Sequence, residues 1–395
     1  MSAGNETQDH QPRFGRQRRS RATRIFVLLS LLLLLVAALR LMVGSYYPMW
    51  PTVELSPDAQ LVQATKRAAQ DDEVEGGAFD LLHTEHPDWT KPRWVLAEVE
   101  LNHARRKVIE VLRERLFRLT AAAVVGLALA TSGVSLQALL RNPLAEPFIL
   151  GISTGAGVGI MVQQLLGHHL MTQHVGALAG AAITMLIVLL ASRKRGTLDP
   201  LGMLLTGVVL GTINGATIMI LNYVVGPAGL NQNLARWMMG YIDTNNLGWM
   251  ELALVGGICG MGMGILLWQA RAMDLATLSD VEAISLGAHL ARLRLILFLV
   301  ASILASAAVV LAGPIAFVGL ICPHIGRLLL GPRHLSLLLA SAILGAILII
   351  VADTTSAALN QKFQIGLLPI GIMTALLGGP MFLWMLRPKL GRGEL

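Results

Sequence analysis

Charged residues and cysteines are both scarce in this chain of 395 residues, and each scarcity excludes a class of protein. Only 14% of the residues are charged, whereas soluble domains carry about 25%, which excludes an ordinary cytosolic globular protein. Hydrophobic residues make up 54% and the mean hydropathy is +0.63, so a disordered chain is also excluded. The two cysteines, Cys259 and Cys322, lie in apolar runs and are expected to be reduced packing residues, which excludes a disulfide scaffold. The composition predicts a polytopic membrane protein.

Ten apolar runs are long enough, or nearly so, to cross the roughly 30 Å hydrocarbon core of a bilayer as helices. They lie at about 25–44, 119–140, 148–166, 175–191, 201–225, 249–268, 293–312, 315–330, 335–353 and 366–386. The run at 315–330 is short and contains Pro323. The runs lack the alternating pattern of a membrane barrel, so the predicted fold class is an all-α polytopic membrane protein with about ten transmembrane helices.

Basic residues between the runs predict the orientation. With a cytoplasmic N-terminus (1–24), ten crossings return the C-terminal tail (387–395) to the same side. Seventeen Lys and Arg then lie inside, against Arg236 and Lys362 in the short outside loops. The inside residues are Arg13, Arg16, Arg18, Arg19, Arg21, Arg24, Arg141, Arg193, Lys194, Arg195, Arg271, Arg292, Arg327, Arg333, Arg387, Lys389 and Arg392. This bias explains the net charge of +7 without a nucleic-acid partner.

The large segment at 45–118 is external in this orientation and contains 13 of the 24 acidic residues. Its second half, Trp94 to Arg118, has apolar residues at a spacing that predicts an amphipathic helix leading into the second span. Its first half, with Gly76, Gly77 and several prolines, is expected to be a loop. No small-residue cleavage site follows the first run, which predicts a membrane anchor rather than a signal peptide.

Four motifs occur in order between residues 115 and 386. The turn at 141–147 reads RNPLAEP and joins two runs rich in small residues. Further on, 237–240 reads WMMG, 313–327 reads GPIAFVGLICPHIGR, and 368–380 reads LPIGIMTALLGGP. At this spacing they resemble the FecCD-type permeases, the membrane subunits of importers for iron–siderophore, haem and vitamin B12. The external part at 45–114 is longer than is usual in that family.

The resemblance implies a type II ABC importer permease that works as a dimer with a second copy of itself or a related permease. It also implies two ATPase subunits and a periplasmic or lipid-anchored substrate-binding protein. The chain has no G-x-x-x-x-G-K-S/T motif, so ATP and Mg are expected on the separate ATPase, with no catalytic residue, cofactor or metal in this chain.

ATPase coupling is assigned by the resemblance to the cytoplasmic loop 269–292. Ser279 is predicted to cap a short helix that extends to Leu286, with acidic residues at its positive end. The expected coupling residues are Leu278, Ser279, Asp280, Glu282, Ala283, Leu286 and Gly287. The alternative is an amphipathic connector that lies on the membrane surface.

A cytoplasmic gate and a translocation path are implied in the same way. Asn142, Pro143 and Leu144 form the first gate element, and Pro200 and Leu201 form the second, where the family is often small and polar. The fifth span is expected to line the path through Thr206, Gly207, Gly211 and Asn214. Small and hydroxyl residues also favour close helix packing, so both roles stay open for them.

Docking of the external binding protein is assigned by the resemblance to Arg115 and Arg118, with Phe117 in place of the family's proline. The family's other docking arginine has no counterpart, and Lys362 is the substitute considered. Arg115 is equally consistent with an interfacial anchor. The long segment 45–114 is a further source of docking contacts.

Two other functions were weighed against a permease. A secondary transporter driven by an ion gradient predicts carboxylates near the bilayer midplane, but Glu146 lies in a turn and Glu251 and Asp353 are expected at span ends. An intramembrane enzyme would need a catalytic motif, and no H-E-x-x-H or G-x-S-x-G occurs in the spans.

Two groups of loop residues raise the question of metal binding. Neither has the spacing of a defined metal site, so solvated side chains are expected. The groups are His168, His169 and His174, and His83, Glu85 and His86.

Overall fold

The computed structural model describes residues 13–43, 55–71, 82–83, 86, 90–166, 173–194, 197–225, 237–244 and 247–390. Twelve α-helices lie in this part of the chain: α1 (Arg13–Met42), α2 (Pro57–Asp71), α3 (Lys91–Leu140), α4 (Ile152–Leu165), α5 (Gln173–Ala191), α6 (Pro200–Val225), α7 (Trp249–Leu275), α8 (Asp280–Ser285), α9 (Leu290–Ala312), α10 (Val318–Leu330), α11 (His334–Phe363) and α12 (Ile370–Leu390). A 3-10 turn (Pro147–Leu150) precedes α4. Strands β1 (Arg193–Lys194) and β2 (Thr197–Leu198) form an antiparallel hairpin between α5 and α6.

The all-α fold is confirmed, and every helix except α2 and α8 coincides with one of the ten predicted spans. Within the described residues, six helices are long and apolar enough to cross a bilayer: α1, α3, α6, α7, α9 and α11. Shorter apolar helices occupy the other four positions. Several boundaries differ from the prediction, and two of them concern the candidate site and the buried charges. The connection expected at 269–292 is confined to 276–289, and α11 runs to Phe363 rather than ending near 353.

The segment at 45–118, which is predicted to be external, contains more helix than its sequence suggested. The loop predicted for its first half is wrong over Pro57–Asp71, which is α2, whereas Gly76 and Gly77 lie outside the described residues. The predicted amphipathic helix is confirmed as the first part of α3, which continues without interruption into the second span. A helix of 50 residues is about 75 Å long, more than twice the bilayer core, so α3 projects well beyond it.

A small separate core fixes α2 against α3. Its buried apolar residues are Val62, Leu82, Ala97 and Leu101. Ser56 donates to the Glu100 carboxylate from both its N–H and its hydroxyl, each at 2.7 Å. Glu98 pairs with Lys66 of α2. Apolar burial and polar contacts at this end therefore attach α2 to α3 independently of the main helix bundle.

Small residues bring α3 into close contact with two later helices. A Cβ added to Gly126 would lie 2.1 Å from the carbonyl oxygen of Gly345 in α11, and one added to Gly133 would lie 2.0 Å from that of Gly319 in α10. Hydroxyl groups add contacts with α9, because Ser132 donates to the Ala301 carbonyl at 2.7 Å. Such contacts are how membrane helices associate without a hydrophobic driving force between them.

The sequence motifs meet in space. Gln137 donates from Nε2 to the carbonyl oxygens of Gly319 at 3.1 Å and Ala145 at 3.3 Å, which joins α3, the 141–147 turn and α10. The WMMG turn contacts the final motif, because the Ile370 N–H donates to the Gly240 carbonyl at 2.6 Å. These motifs are therefore largely residues of helix packing.

Asp353 is buried inside the bundle, ten residues before the end of α11 at Phe363. Its two carboxylate oxygens accept from Arg40 Nε of α1 and Arg118 Nη2 of α3, each at 2.5 Å. Arg118 also donates from Nη1 to the Ile242 carbonyl at 3.1 Å. The side chains of all three charged residues are at most 2% exposed. This ion-paired cluster ties the first span to α3 and α11.

Candidate functional site

Helix α8 has an N-terminus closed by a reciprocal capping box. The Ser279 hydroxyl accepts from the Glu282 N–H at 3.3 Å, and the Glu282 carboxylate accepts from the Ser279 N–H at 3.0 Å. Hydrogen bonds from the side chain and backbone of Ser279 hold the pKa of the Glu282 carboxyl below its usual value, which keeps a negative charge at the positive end of the helix. The predicted short helix with Ser279 as its cap is confirmed. It ends at Ser285, before Leu286 and Gly287, and Gly287 has a φ of +85°.

The outer face of α8 is apolar and exposed. Val281 is 76% exposed and Ile284 and Leu286 are each 61% exposed. Leu278, just before the helix, is 39% exposed, whereas Ala283 is fully buried. Exposed apolar side chains grouped on one short, capped element are typical of a protein-contact surface.

The first residue of α8 connects it to two other elements. The Asp280 carboxylate contacts Arg141 Nη2, just after α3, at 2.7 Å and Arg294 Nη2 of α9 at 2.9 and 3.0 Å. Burial raises the pKa of Asp280, but the hydrogen bonds and charges of Arg294 and Arg141 outweigh it, so the pKa lies below the usual value. Asp280 is therefore a carboxylate held between two guanidinium groups.

The predicted gate elements both lie at helix ends, the first as the turn after α3 and the second as the start of α6. Asn142 Oδ1 accepts from the Leu144 N–H at 2.9 Å, and Pro143 is exposed between them, so the amide stabilises its own turn. Pro200 is the first residue of α6, and Leu201 is 63% exposed. These positions suit gating, which stays a prediction.

The predicted path residues divide into two groups. Asn214 lines a cavity of about 320 Å³ between α4, α5 and α6, where its amide lies 3.3 Å from the Thr184 hydroxyl. Thr206 is half-buried on α6. Gly207, in contrast, packs on the 3-10 turn, where a Cβ would lie 2.8 Å from Leu150 Cα. Gly211 also faces this turn, because a Cβ added to it would lie 3.8 Å from Gly151 Cα.

The helix-packing reading is therefore the one that the structure supports for Gly207 and Gly211. Lining of the path by Asn214 and Thr206 stays a prediction.

The docking assignment of Arg115 and Arg118 requires a correction, because a docking charge must be accessible. Arg115 is 2% exposed and donates from Nη1 to the Leu41 carbonyl at 3.0 Å. Arg118 is 1% exposed and paired with Asp353. Arg115 therefore holds the C-terminal end of α1 against α3, and Arg118 connects α3 to α11. Lys362 remains exposed in the last turn of α11, with Nζ 5.3 Å from the ring centroid of Phe363.

Sequence reasoning missed Arg40 and Arg294. Asp353 is a lone acidic residue in one apolar run, and Arg40 lies at the end of another. Their opposite charges are a signal that could have suggested Arg40 as the partner of Asp353. Nothing local marks Arg294, which is 14 residues from Asp280. Among the described residues, no group of three metal-ligating side chains comes together. Glu85, His168 and His169 lie outside the described residues.

A model of the FecCD transport family matches residues 88–388. The chain belongs to the FecCD transport family. This FecCD protein is 38% identical over 288 residues to the hemin transport system permease protein of Yersinia pestis, covering 70% of this chain and 82% of the relative. It is also 38% identical over 282 residues to the vitamin B12 import system permease protein of Vibrio cholerae, and the match covers 69% of this chain and 81% of the relative.

Further comparisons agree with this family. The Fe(3+)-citrate import system permease protein YfmE of Bacillus subtilis is 35% identical over 289 residues, covering 73% of this chain and 84% of the relative. A solved inward-facing conformation of a metal-chelate-type ABC transporter matches with a TM-score of 0.68 and 25% identity, covering 93% of this chain and 99% of that chain. This FecCD protein is therefore a multi-pass ABC transporter permease and not an enzyme. The family match begins at residue 88, so α2 lies outside it.

Proposed function

We propose that this chain is the permease subunit of an ATP-driven importer for metal chelates of the iron–siderophore, haem or cobalamin type. The single observation that carries the proposal is α8, a capped helix that presents Val281, Ile284 and Leu286 outward. Such a surface gives an ATPase subunit an apolar contact on a rigid element. The cargo class rests on the relatives named for hemin, vitamin B12 and Fe(3+)-citrate.

The orientation that fits this role has both termini and α8 in the cytoplasm. The bias of Lys and Arg toward the loops on that side supports it. ATP binding would close the two ATPase subunits, and displacement of α8 would then drive alternating access.

A second copy of the chain, or a related permease, would complete the translocation path. Helix α6 supports this step, since only 11% of the residues in its most apolar stretch are buried within one chain. Its exposed side chains include Leu205, Val209, Ile213 and Ile220. The cavity beside Asn214 is apolar with few polar groups, which suits a path that must release its cargo.

An external binding protein would deliver the cargo. The burial of Arg115 and Arg118 directs its contacts elsewhere, namely to Lys362 and to the projecting part of α3 with α2. Lys66, Glu98 and Glu100 hold that part together, so it provides a firm platform outside the membrane.

The first test is co-purification of this chain with its partner ATPase subunit. Ile284→Ser on α8 is expected to reduce recovery of the ATPase, because it removes an apolar contact. Ile109→Ser is the matched control, since Ile109 is 63% exposed on the external part of α3. Equal recovery with both variants would contradict the assignment of α8.

The second test is uptake into vesicles that contain the permease, its ATPase and its binding protein. Hemin, cobalamin and ferric citrate are each supplied, and uptake is expected for one cargo only when ATP is present. Uptake that persists after ATP depletion but stops with an ionophore would instead support the secondary transporter.

A further inference from the structure

Few contacts hold α8 to the rest of the chain. Within its six residues only Ala283 is buried, and the backbone contact nearby is the Ala288 N–H donating to the Ala283 carbonyl at 2.9 Å. The outward side chains Val281 and Ile284 contribute little internal packing, because they are 76% and 61% exposed. Asp280 is therefore the main polar connection between α8 and the helices of the bundle.

Arg141 sits where three parts of the chain meet. It follows the last residue of α3 with a left-handed backbone conformation, φ 49°, and it directly precedes the Asn142-Pro143-Leu144 turn. Its Nη2 contacts Asp280, and its Nε donates to the Ala276 carbonyl at 2.9 Å. One guanidinium thus holds both the end of α7 and the start of α8.

The two segments on either side of Arg141 are held by different contacts. Helix α3 is fixed by Gln137, which is 3% exposed and bonded to Gly319, and by the glycine contacts of Gly126 and Gly133. The turn after Arg141 contains an exposed Pro143 and is closed by hydrogen bonds from the Leu144 N–H to Asn142 Oδ1 at 2.9 Å and from the Ala145 N–H to the Asn142 carbonyl at 3.1 Å. Because Arg141 directly precedes this turn, a force on Asp280 acts at the first residue of the turn.

We infer that the Asp280–Arg141 ion pair is the link by which a displacement of α8 reaches the 142–144 turn. The inference rests on the proposed function and deepens it, because it names the positioning residues that connect the ATPase contact to the gate. Exposed ion pairs contribute little to stability, and Asp280 is 47% exposed. Its role is to transmit movement, so its loss should uncouple the importer rather than unfold it.

The experiment uses the complete importer in vesicles and measures uptake and ATP hydrolysis in the same preparation. The variants are Asp280→Asn, which keeps the side-chain size and removes the charge, Arg141→Gln, which removes the charge and leaves a shorter polar side chain, and the double variant. Arg333→Gln is the matched control, because Arg333 is exposed and lies beside His334, whose N–H donates to Asp274 near the end of α7. Co-purification of the ATPase confirms assembly of each variant.

Each single variant is expected to assemble and hydrolyse ATP while the uptake per ATP falls about fivefold or more. The double variant should fall no further than Asp280→Asn alone, since Asp280→Asn already removes the contact with Arg141 together with the contacts to Arg294. Unchanged uptake per ATP in the single variants would overturn the inference, as would additive losses in the double variant. Loss of the ATPase from Asp280→Asn would also overturn it, because Asp280 would then be a contact to the ATPase.

The wild-type importer separates this inference from the proposed function. If the assembled wild type hydrolyses ATP without accumulating any of the chelates, the proposed function fails. If it accumulates cargo and Asp280→Asn does so with equal efficiency, only the link fails.

Discussion

The carboxylate of Glu146 accepts a hydrogen bond of 2.9 Å from the backbone N–H of Phe317. Phe317 has a φ of +71°, a left-handed conformation that is strained for a bulky residue. Its ring lies against Gly378, where an added Cβ would be 2.4 Å from the ring. Glu146 therefore stabilises the strained start of α10 and joins the turn after α3 to two later motifs.

Removal of this acceptor should destabilise the bundle. Glu146→Ala leaves the Phe317 N–H without its partner, and we expect a loss of about 1–3 kcal/mol. Glu146→Gln keeps an oxygen acceptor and should lose clearly less. Thermal unfolding of the purified permease in detergent checks this order, and equal midpoints for the two variants would show that the hydrogen bond does not matter.

Close helix contact at Gly126 gives a second prediction. Gly126→Ala places a methyl group 2.1 Å from the Gly345 carbonyl oxygen, so α3 and α11 must separate, at an expected loss of about 1–3 kcal/mol. Gly257→Ala is the control, because its Cβ meets nothing within 4 Å in α7. The control should be neutral or stabilising by up to about 1 kcal/mol. Similar unfolding midpoints for both variants would contradict the packing described for α3.

The fold was predictable from sequence because membrane spans are marked by composition alone. Ten apolar runs correspond to ten helices, and the capped α8 could be predicted because Ser279 and Glu282 are only three residues apart. The partners of charged residues could not be predicted in this way. Arg40 and Asp353 are 313 residues apart, and only the packing of α1 against α11 brings them together.

The same reason explains the two wrong docking residues. A resemblance transfers residue identity but not exposure. Arg115 is bonded to the end of α1, and Arg118 is bonded to Asp353 and to the Ile242 carbonyl. Likewise, the glycines of α6 could be read from sequence as lining or packing residues. Only the position of the 147–150 turn decides for packing at Gly207.

Asp353 provides a third prediction, on the buried charges. Asp353→Asn leaves Arg40 and Arg118 buried without their shared anion, and breaking a buried pair costs about 3–5 kcal/mol. Arg40→Met instead leaves one arginine paired with one carboxylate, so it should be tolerated better. Yields of monodisperse protein in detergent and unfolding midpoints test this order. A more damaging Arg40→Met would show that Arg118 does not suffice to neutralise Asp353.

The lowered pKa of Asp280 predicts how the link depends on pH. A carboxylate with a depressed pKa keeps its ion pairs above its ordinary value of about 4 and loses them only as the pH falls through the lowered value. The Asp280–Arg141 pair should therefore persist throughout about pH 5.5–8. Uptake per ATP is measured for Asp280→Asn and for the wild type, and the first value is divided by the second. This quotient should stay constant over the range, since effects of pH on the other subunits cancel. Convergence of the two proteins near the acidic end would mean that Asp280 is already protonated there, and that Arg294 and Arg141 do not hold it as a carboxylate.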